Sequence, residues 1–463
     1  LDSRIARVTV SGYFTSRQDV WQEPIDRNVW GLLKHFGDAE LAAMIAPRPV
    51  TIEAAPGPEW RGPSESDPKR RGAAPGKIVS PPLEAVKAEV ARARRLGAKI
   101  ELKPSGTAQV RVQPLRPRER QKRQFEELVE FTQKLVRRSE SVRAQYWSKA
   151  DISSPAAWDR SIQLQRNYFW NEVIGRLPAP TVPVNPRTRK SYTSANWDGY
   201  EVMLDIHPDV FAYGVLLVPR GIKPGEKRPV VVCQHGLNGR PQDLFAQPEN
   251  EQSGYRYYRN IGDKLASLGF IVYLPQNPYT GDFRQHQRLA NPLQLSLFSF
   301  IVAQNERALD WLSSLPYVDP QRIAFYGLSY GGKTALRIPS LLGRYALSIC
   351  SGDFNEWIVK LTTVDAPYTY MFTQEYEMNE FDLAHVANHA EMALMIAPRP
   401  FMVERGHRDG VGVDEWVAYE YAKVRRFYDE MGIGDRTAIE FFNGPHRING
   451  AGTVEFLRKH LRW

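Results

Sequence analysis

Short apolar runs alternate with amphipathic stretches along most of this chain. Residues 229–233, 323–326, 400–403 and 438–442 are brief runs rich in Val, Ile, Phe and Met, closed by Gly, Asn or polar residues, a pattern that predicts buried strands. Between and around them, residues 83–96, 158–174 and 413–431 space their apolar positions three and four apart, which predicts helices. Residues 5–10 and 99–102 add two strands in the first third. Strands alternating with helices predict an α/β architecture with a mostly parallel sheet and helices on both faces. Pro- and Arg-rich segments at 56–75 and 177–189 are expected as loops or linkers. The expected domains are residues 1–150 and 151–463.

The run 323–333 narrows the chemistry. An apolar strand stops in Gly327-Leu328-Ser329-Tyr330-Gly331, and a helix-forming stretch follows at once. A serine in a sharp strand-to-helix turn needs glycine on both sides, because side chains there would strike the neighbouring strand or helix. Such a turn lifts the Ser329 hydroxyl above the sheet edge, and the helix start favours developing negative charge. Upstream, a strand ends in His235-Gly236, where the loop would offer an oxyanion N–H from Leu237, with a second from Tyr330. Downstream, His446 follows the strand 438–442 and fits a general base. His407 is its weaker rival. The acid is Asp409, with Glu404 as the alternative, both around the loop after strand 400–403. The order Ser329, Asp409, His446 matches the Ser, acid, His order of α/β-hydrolases.

An internal repeat is the second signal. Residues 40–49 and 391–400 both open on glutamate and both end in the same Met-Ile-Ala-Pro-Arg-Pro. Ser11-Gly12-Tyr13-Phe14 matches Ser351-Gly352-Asp353-Phe354, and Glu53 falls where Glu404 falls. The first third is therefore expected to be the later half of a second, degenerate hydrolase domain. It has no chemistry of its own, since Pro58 stands where Asp409 does and Thr107 where His446 does.

Residues 185–463 resemble the dienelactone-hydrolase and acetyl-xylan-esterase-like branch of the α/β-hydrolase superfamily. The resemblance is carried by Trp197-Asp198-Gly199-Tyr200-Glu201-Val202, by residues 213–219, by His235-Gly236, by residues 327–332 and by Ala397-Pro398-Arg399-Pro400. The lysine after Ser-Tyr-Gly-Gly is also similar to bacterial glucuronoyl-esterase-like proteins, and Gly-x-Ser-Tyr-Gly-Gly to prolyl-oligopeptidase-type peptidases. The resemblance implies an α/β-hydrolase fold preceded by an incomplete, non-catalytic hydrolase-like unit. The activity it implies is a serine-dependent carboxylic-ester hydrolase acting on carbohydrate or aryl esters. Aromatic insertions commonly shape hydrolase pockets, so residues 355–390, which hold Trp357, Tyr368, Tyr370, Phe372, Tyr376 and Phe381, and residues 279–300 are the expected substrate walls. His235, Trp357 and Tyr370 are the candidate substrate-binding residues.

Composition changes this picture little. The chain has 463 residues, 42% of them hydrophobic, with no apolar run long enough for a membrane span. Its net charge of +9 gathers at 116–123 and at Arg137-Arg138, beside Glu126, Glu127 and Glu130. Without interleaved aromatics this is a solvated helix face, and no nucleic-acid partner is expected. Cys233 and Cys350, the two cysteines, lie in apolar strands and are expected to be buried thiols. No cluster argues for a metal or cofactor, and no carboxylate spacing argues for a glycosidase. The chain opens on Leu1, so processing, a secreted or periplasmic location and completion of the first unit by a preceding segment are expectations. Oligomeric state is left open. The partner expected is a small-molecule ester, against two alternatives: a prolyl-oligopeptidase-like serine peptidase and a non-catalytic binding protein.

Overall fold

The computed structural model describes residues 2–24, 27–62, 76–104, 117–247, 254–278, 285–371 and 376–463. Residues 63–75 of the segment expected as a loop, Thr107, Arg116, residues 279–284 and Phe372, together with the Tyr376 side chain, lie outside the described residues. The chain forms two compact units: Leu1–Phe131 with Arg284–Ser296 and Thr373–Glu377, and Thr132–Phe283 with Leu297–Phe372 and Met378–Trp463. The division falls within the helix Pro117–Trp147 and not at residue 150. The reason is side-chain bonding along its second half. Gln133 Nε2 donates to Thr362 O at 2.7 Å, Arg143 Nη1 to Ala384 O at 2.8 Å and Trp147 Nε1 to Val386 O at 2.8 Å, all inside the larger unit.

The smaller unit holds strands β1 (Val8–Ser11), β2 (Val50–Glu53), β3 (Trp60–Arg61), β4 (Lys77–Ile78) and β5 (Ile100–Lys103). β1, β2 and β5 form a parallel sheet in the order β1-β2-β5, and β3 pairs antiparallel with β4. The helix Leu83–Arg95 buries Val86, Val90 and Ala93, a spacing of four and three that keeps one face on Val50 and Ile52. The first strand starts at Val8, later than residue 5, because β2 offers only Val50 to Glu53 as ladder partners and leaves Ile5 49% exposed.

Among the described residues the larger unit is built on nine strands: β6 (Arg187–Thr193), β7 (Trp197–His207), β8 (Val210–Pro219), β9 (Arg228–Gln234), β10 (Ile271–Pro275), β11 (Val318–Leu328), β12 (Leu347–Ser351), β13 (Phe401–Arg408) and β14 (Thr437–Pro445). Their order is β14-β13-β12-β11-β9-β10-β8-β7-β6. Pairing is parallel from β14 through β10 and antiparallel from β8 to β6. The central strands read as unbroken apolar runs because both faces are covered, one core holding Val230, Val232, Ile323 and Phe325 and the other Val231, Val272, Ala324 and Ile349.

The two units repeat each other's local bonding. Ser11 lies opposite Glu53 as Ser351 lies opposite Glu404. Gly12 N–H donates to Glu53 O at 3.2 Å and Gly352 N–H to Glu404 O at 3.0 Å, with both glycines at positive φ. Glu89 accepts from Ala39 N–H at 3.0 Å, and Glu420 does the same for Ala390 at 2.9 Å. Asp38 accepts the N–H of Thr15 at 3.1 Å, where His389 Nδ1 accepts that of Asn355 at 3.0 Å.

Candidate active site

Ser329 joins β11 to the helix Tyr330–Leu341 with φ 62° and ψ −123°, a backbone conformation that side chains rarely adopt. Its glycine neighbours hold it there. A methyl at Gly327 would lie 2.2 Å from Gly331 O, and one at Gly331 would lie 2.2 Å from Gln234 O. Ser329 N–H donates to Ser351 O at 2.9 Å, tying the turn to the end of β12.

Two loops close around this turn. The loop after β9 comes so near that a methyl on Gly236 would sit 3.1 Å from Ser329 Cβ. Gly236 N–H donates to the Tyr258 hydroxyl at 2.7 Å, and Gly239 N–H closes a turn onto Gly236 O at 3.2 Å. Leu237 lies inside that turn, and Tyr330 is the first residue of its helix, where backbone N–H groups point out of the helix start. From the other side, His446 follows β14, and its Cε1 would lie 3.0 Å from a methyl on Gly352, the residue after Ser351. His446 Nδ1 stands 2.8 Å from Asp409 Oδ1. No hydrogen bond joins Ser329 Oγ to His446 among the described residues.

The carboxylates and the rival histidine separate clearly. Asp409, with its side chain 1% exposed, lies on the turn after β13, where Arg405 Nη1 approaches it at 3.5 Å and also bonds Gly412 O at 2.7 Å through Nη2. Glu404 accepts from Ser351 Oγ at 2.6 Å, Gly450 N–H at 2.8 Å, Tyr326 Oη at 3.0 Å and Thr453 Oγ1 at 3.1 Å. Burial pushes its carboxyl above the usual range, against the pull of those donors. It is bonded to the base of the His446 loop and not to His446 itself. His407 bonds Asp414 through Nδ1 at 2.6 Å and stacks on Phe441.

The expected substrate-binding residues fare differently. His235 is wholly buried, with Nδ1 bonded to Gly236 O and Nε2 to Asn277 N–H and the Gln276 amide, so it braces a loop and is not exposed to a ligand. Trp357 is also wholly buried, stacked on His389 at 4.9 Å between centroids, with Tyr370 at 5.6 Å. Sequence reasoning missed Tyr258, Asn277, Arg405 and His389. None of them lies in a motif, and only the folded chain brings them beside the loops they brace. Among the described residues no group of His, Cys, Asp and Glu could hold a metal ion, and no helix is long and apolar enough to cross a membrane.

Residues 264–423 match the model of the prolyl oligopeptidase family. Dipeptidyl peptidase 8 of Mus musculus is 27% identical over 185 residues, which cover 39% of this chain and 19% of that protein, so the chain spans about a fifth of that relative's length. A Bacteroides fragilis structure assigned as an acetyl xylan esterase superposes with a TM-score of 0.54 at 15% identity, covering 69% of this chain and 94% of that one. Glucuronoyl esterase from Solibacter usitatus gives 0.51 at 16% identity, covering 67% and 94%. The larger unit is an α/β-hydrolase by fold. At 15% and 16% identity these likenesses show the fold, which is the one expected from the motifs of residues 185–463.

Proposed function

We propose that the chain is a serine-dependent carboxylic-ester hydrolase working through an acyl-enzyme. The observation that carries this reading is the buried Asp409 bonded to His446 at 2.8 Å, beside a serine held in a strained turn at a helix start. Ser329 Oγ attacks the ester carbonyl while His446 takes its proton through Nε2, the ring nitrogen turned away from Asp409. The N–H groups of Tyr330 and Leu237 hold the oxyanion as the tetrahedral centre forms. His446 then returns the proton to the leaving alcohol, and water repeats the sequence to free the acid and Ser329. Asp409 holds the imidazole in the tautomer with hydrogen on Nδ1 and stabilises the imidazolium; burial keeps its attraction from being screened by water. The preferred substrates are small carbohydrate or aryl esters. The smaller unit is a degenerate copy of a hydrolase half, supported by the shared ladder register and helix-capping carboxylates, and it contributes no nucleophile, base or acid.

A peptidase is the second reading, favoured by the prolyl oligopeptidase match over residues 264–423. Parallel assays on an acyl ester and its amide separate the two: the ester reading expects hydrolysis of the ester far in excess of the amide. A fluorophosphonate probe should label the wild type and leave Ser329→Ala unlabelled. A wild type that never labels would sink both enzymatic readings and leave a binding protein.

A further inference from the structure

His235 ends the strand β9 side of the active-site loop, and the mechanism above gives it no task. Its hydrogen bonds fix its tautomer. Nδ1 stands 2.8 Å from Gly236 O, a carbonyl that can only accept, so Nδ1 carries the hydrogen. Nε2 stands 3.0 Å from Asn277 N and 3.2 Å from the Gln276 amide nitrogen, both donors, so Nε2 must present its lone pair. One neutral ring therefore bridges the loop after β9 and the loop after β10. The loop has little room to move elsewhere, since a methyl on Gly239 would come 2.9 Å from His235 Nδ1 and 3.0 Å from Tyr258 Oη. Gly236 O accepts from both His235 and Gly239, and the turn so closed contains Leu237.

We infer that His235 is the positioning residue of the oxyanion loop, and that its neutral imidazole acts as an acid-sensitive clamp: a proton gained at Nε2 turns its acceptor into a second donor facing Asn277 N–H and releases the loop that aims Leu237 N–H. This rests on the ester-hydrolase reading of the same site. The released loop leaves the oxyanion with one donor fewer, while Ser329, His446 and Asp409 stay where they are. The titratable groups on the neighbouring elements are Arg228 and Cys233 of β9, Tyr255, Arg256, Tyr257 and Tyr258 of the helix Tyr255–Tyr258, and Asp243 of the turn Pro241–Phe245. Asp243 is engaged by Arg240 N–H at 2.8 Å, and among the described residues no carboxylate hydrogen-bonds to the ring to balance a charge there. Burial accordingly holds the imidazole down, to about 4, with the Gly236 carbonyl pulling weakly the other way.

The test measures kcat and KM for p-nitrophenyl acetate from pH 3.5 to 8 in the wild type, His235→Phe and His235→Gln, with Tm followed at each pH. Phenylalanine keeps the volume and loses both bonds, so kcat should fall roughly 10- to 100-fold, with KM changed less than about threefold, as for loss of an oxyanion donor. Glutamine offers Asn277 an acceptor that does not titrate. It should recover most of kcat, and its acid limb below about pH 5 should follow one proton where the wild type follows two. Should the phenylalanine variant fail to fold, the glutamine pH profile decides alone. A folded phenylalanine variant with wild-type kcat, or a glutamine variant that keeps the two-proton limb, overturns the inference while the ester reading stands. A wild type inert to both the ester and a fluorophosphonate brings down the two together.

Discussion

At the scale of single residues, Asp409 and Glu404 are two buried carboxylates on one strand and its turn with different surroundings. Asp409 meets His446 at 2.8 Å and Arg405 at 3.5 Å, whereas Glu404 is occupied by four donors from β11, β12, the His446 loop and the helix Ala451–Leu461 that follows it. Their neutral amides should therefore part company. Asp409→Asn leaves the fold intact and lowers kcat by about 10⁴, the size expected when the base loses its tautomer partner. Glu404→Gln swaps one acceptor oxygen for a donor among four donors, so about 1–3 kcal/mol of stability goes while kcat of the folded protein stays within about tenfold. Urea unfolding beside steady-state kinetics reads both. The opposite pattern, a stable but inert Glu404→Gln with an active Asp409→Asn, would hand the acid's role to Glu404.

At the scale of elements, the strand-to-helix turn depends on backbone passing backbone. Gly331 lets the helix Tyr330–Leu341 approach β9 so closely that a methyl would stand 2.2 Å from Gln234 O. Neither partner is a side chain that could swing aside. Gly331→Ala should cost about 1–3 kcal/mol by overpacking and, because the displaced helix carries Tyr330 N–H, should also cut kcat by more than about tenfold. Chemical denaturation and turnover measured on the same preparation check this; a variant with wild-type stability and rate would mean that the helix adjusts freely. The Gly327, Ser329 and Gly331 pattern was legible as a motif because the glycine requirement is local. The brace from Tyr258 to Gly236 N–H was not, since its partners stand 22 residues apart and no spacing rule joins them.

At the scale of the whole molecule, burial of neutral histidines links stability to pH. His235 and His389 are both wholly enclosed, and burial lowers the affinity of each for a proton. Below about pH 6.5 the unfolded chain binds those protons and the folded chain does not, so acid favours unfolding. For His235, held down to about 4, the stability lost between about pH 6.5 and 4 amounts to about 3 kcal/mol. Tm should fall steadily over that window, and His235→Gln should fall less steeply; parallel slopes would show that His235 is already exposed to water. The sequence by itself determined the alternation of strands and helices, the nucleophile turn, the order Ser329, Asp409, His446 and the repeat of Glu53 at the place of Glu404, because each depends on neighbours in the chain or on matching short runs. It favoured Asp409 with Glu404 as the alternative, and placed His235 at the substrate. Only the tertiary structure separates their surroundings, bringing β11, β12 and β13 side by side so that one carboxylate meets the histidine loop's base and the other its ring. It also drew the division between the units inside a helix, because what ends a compact unit is the long-range bonding of Gln133, Arg143 and Trp147, which no local composition records.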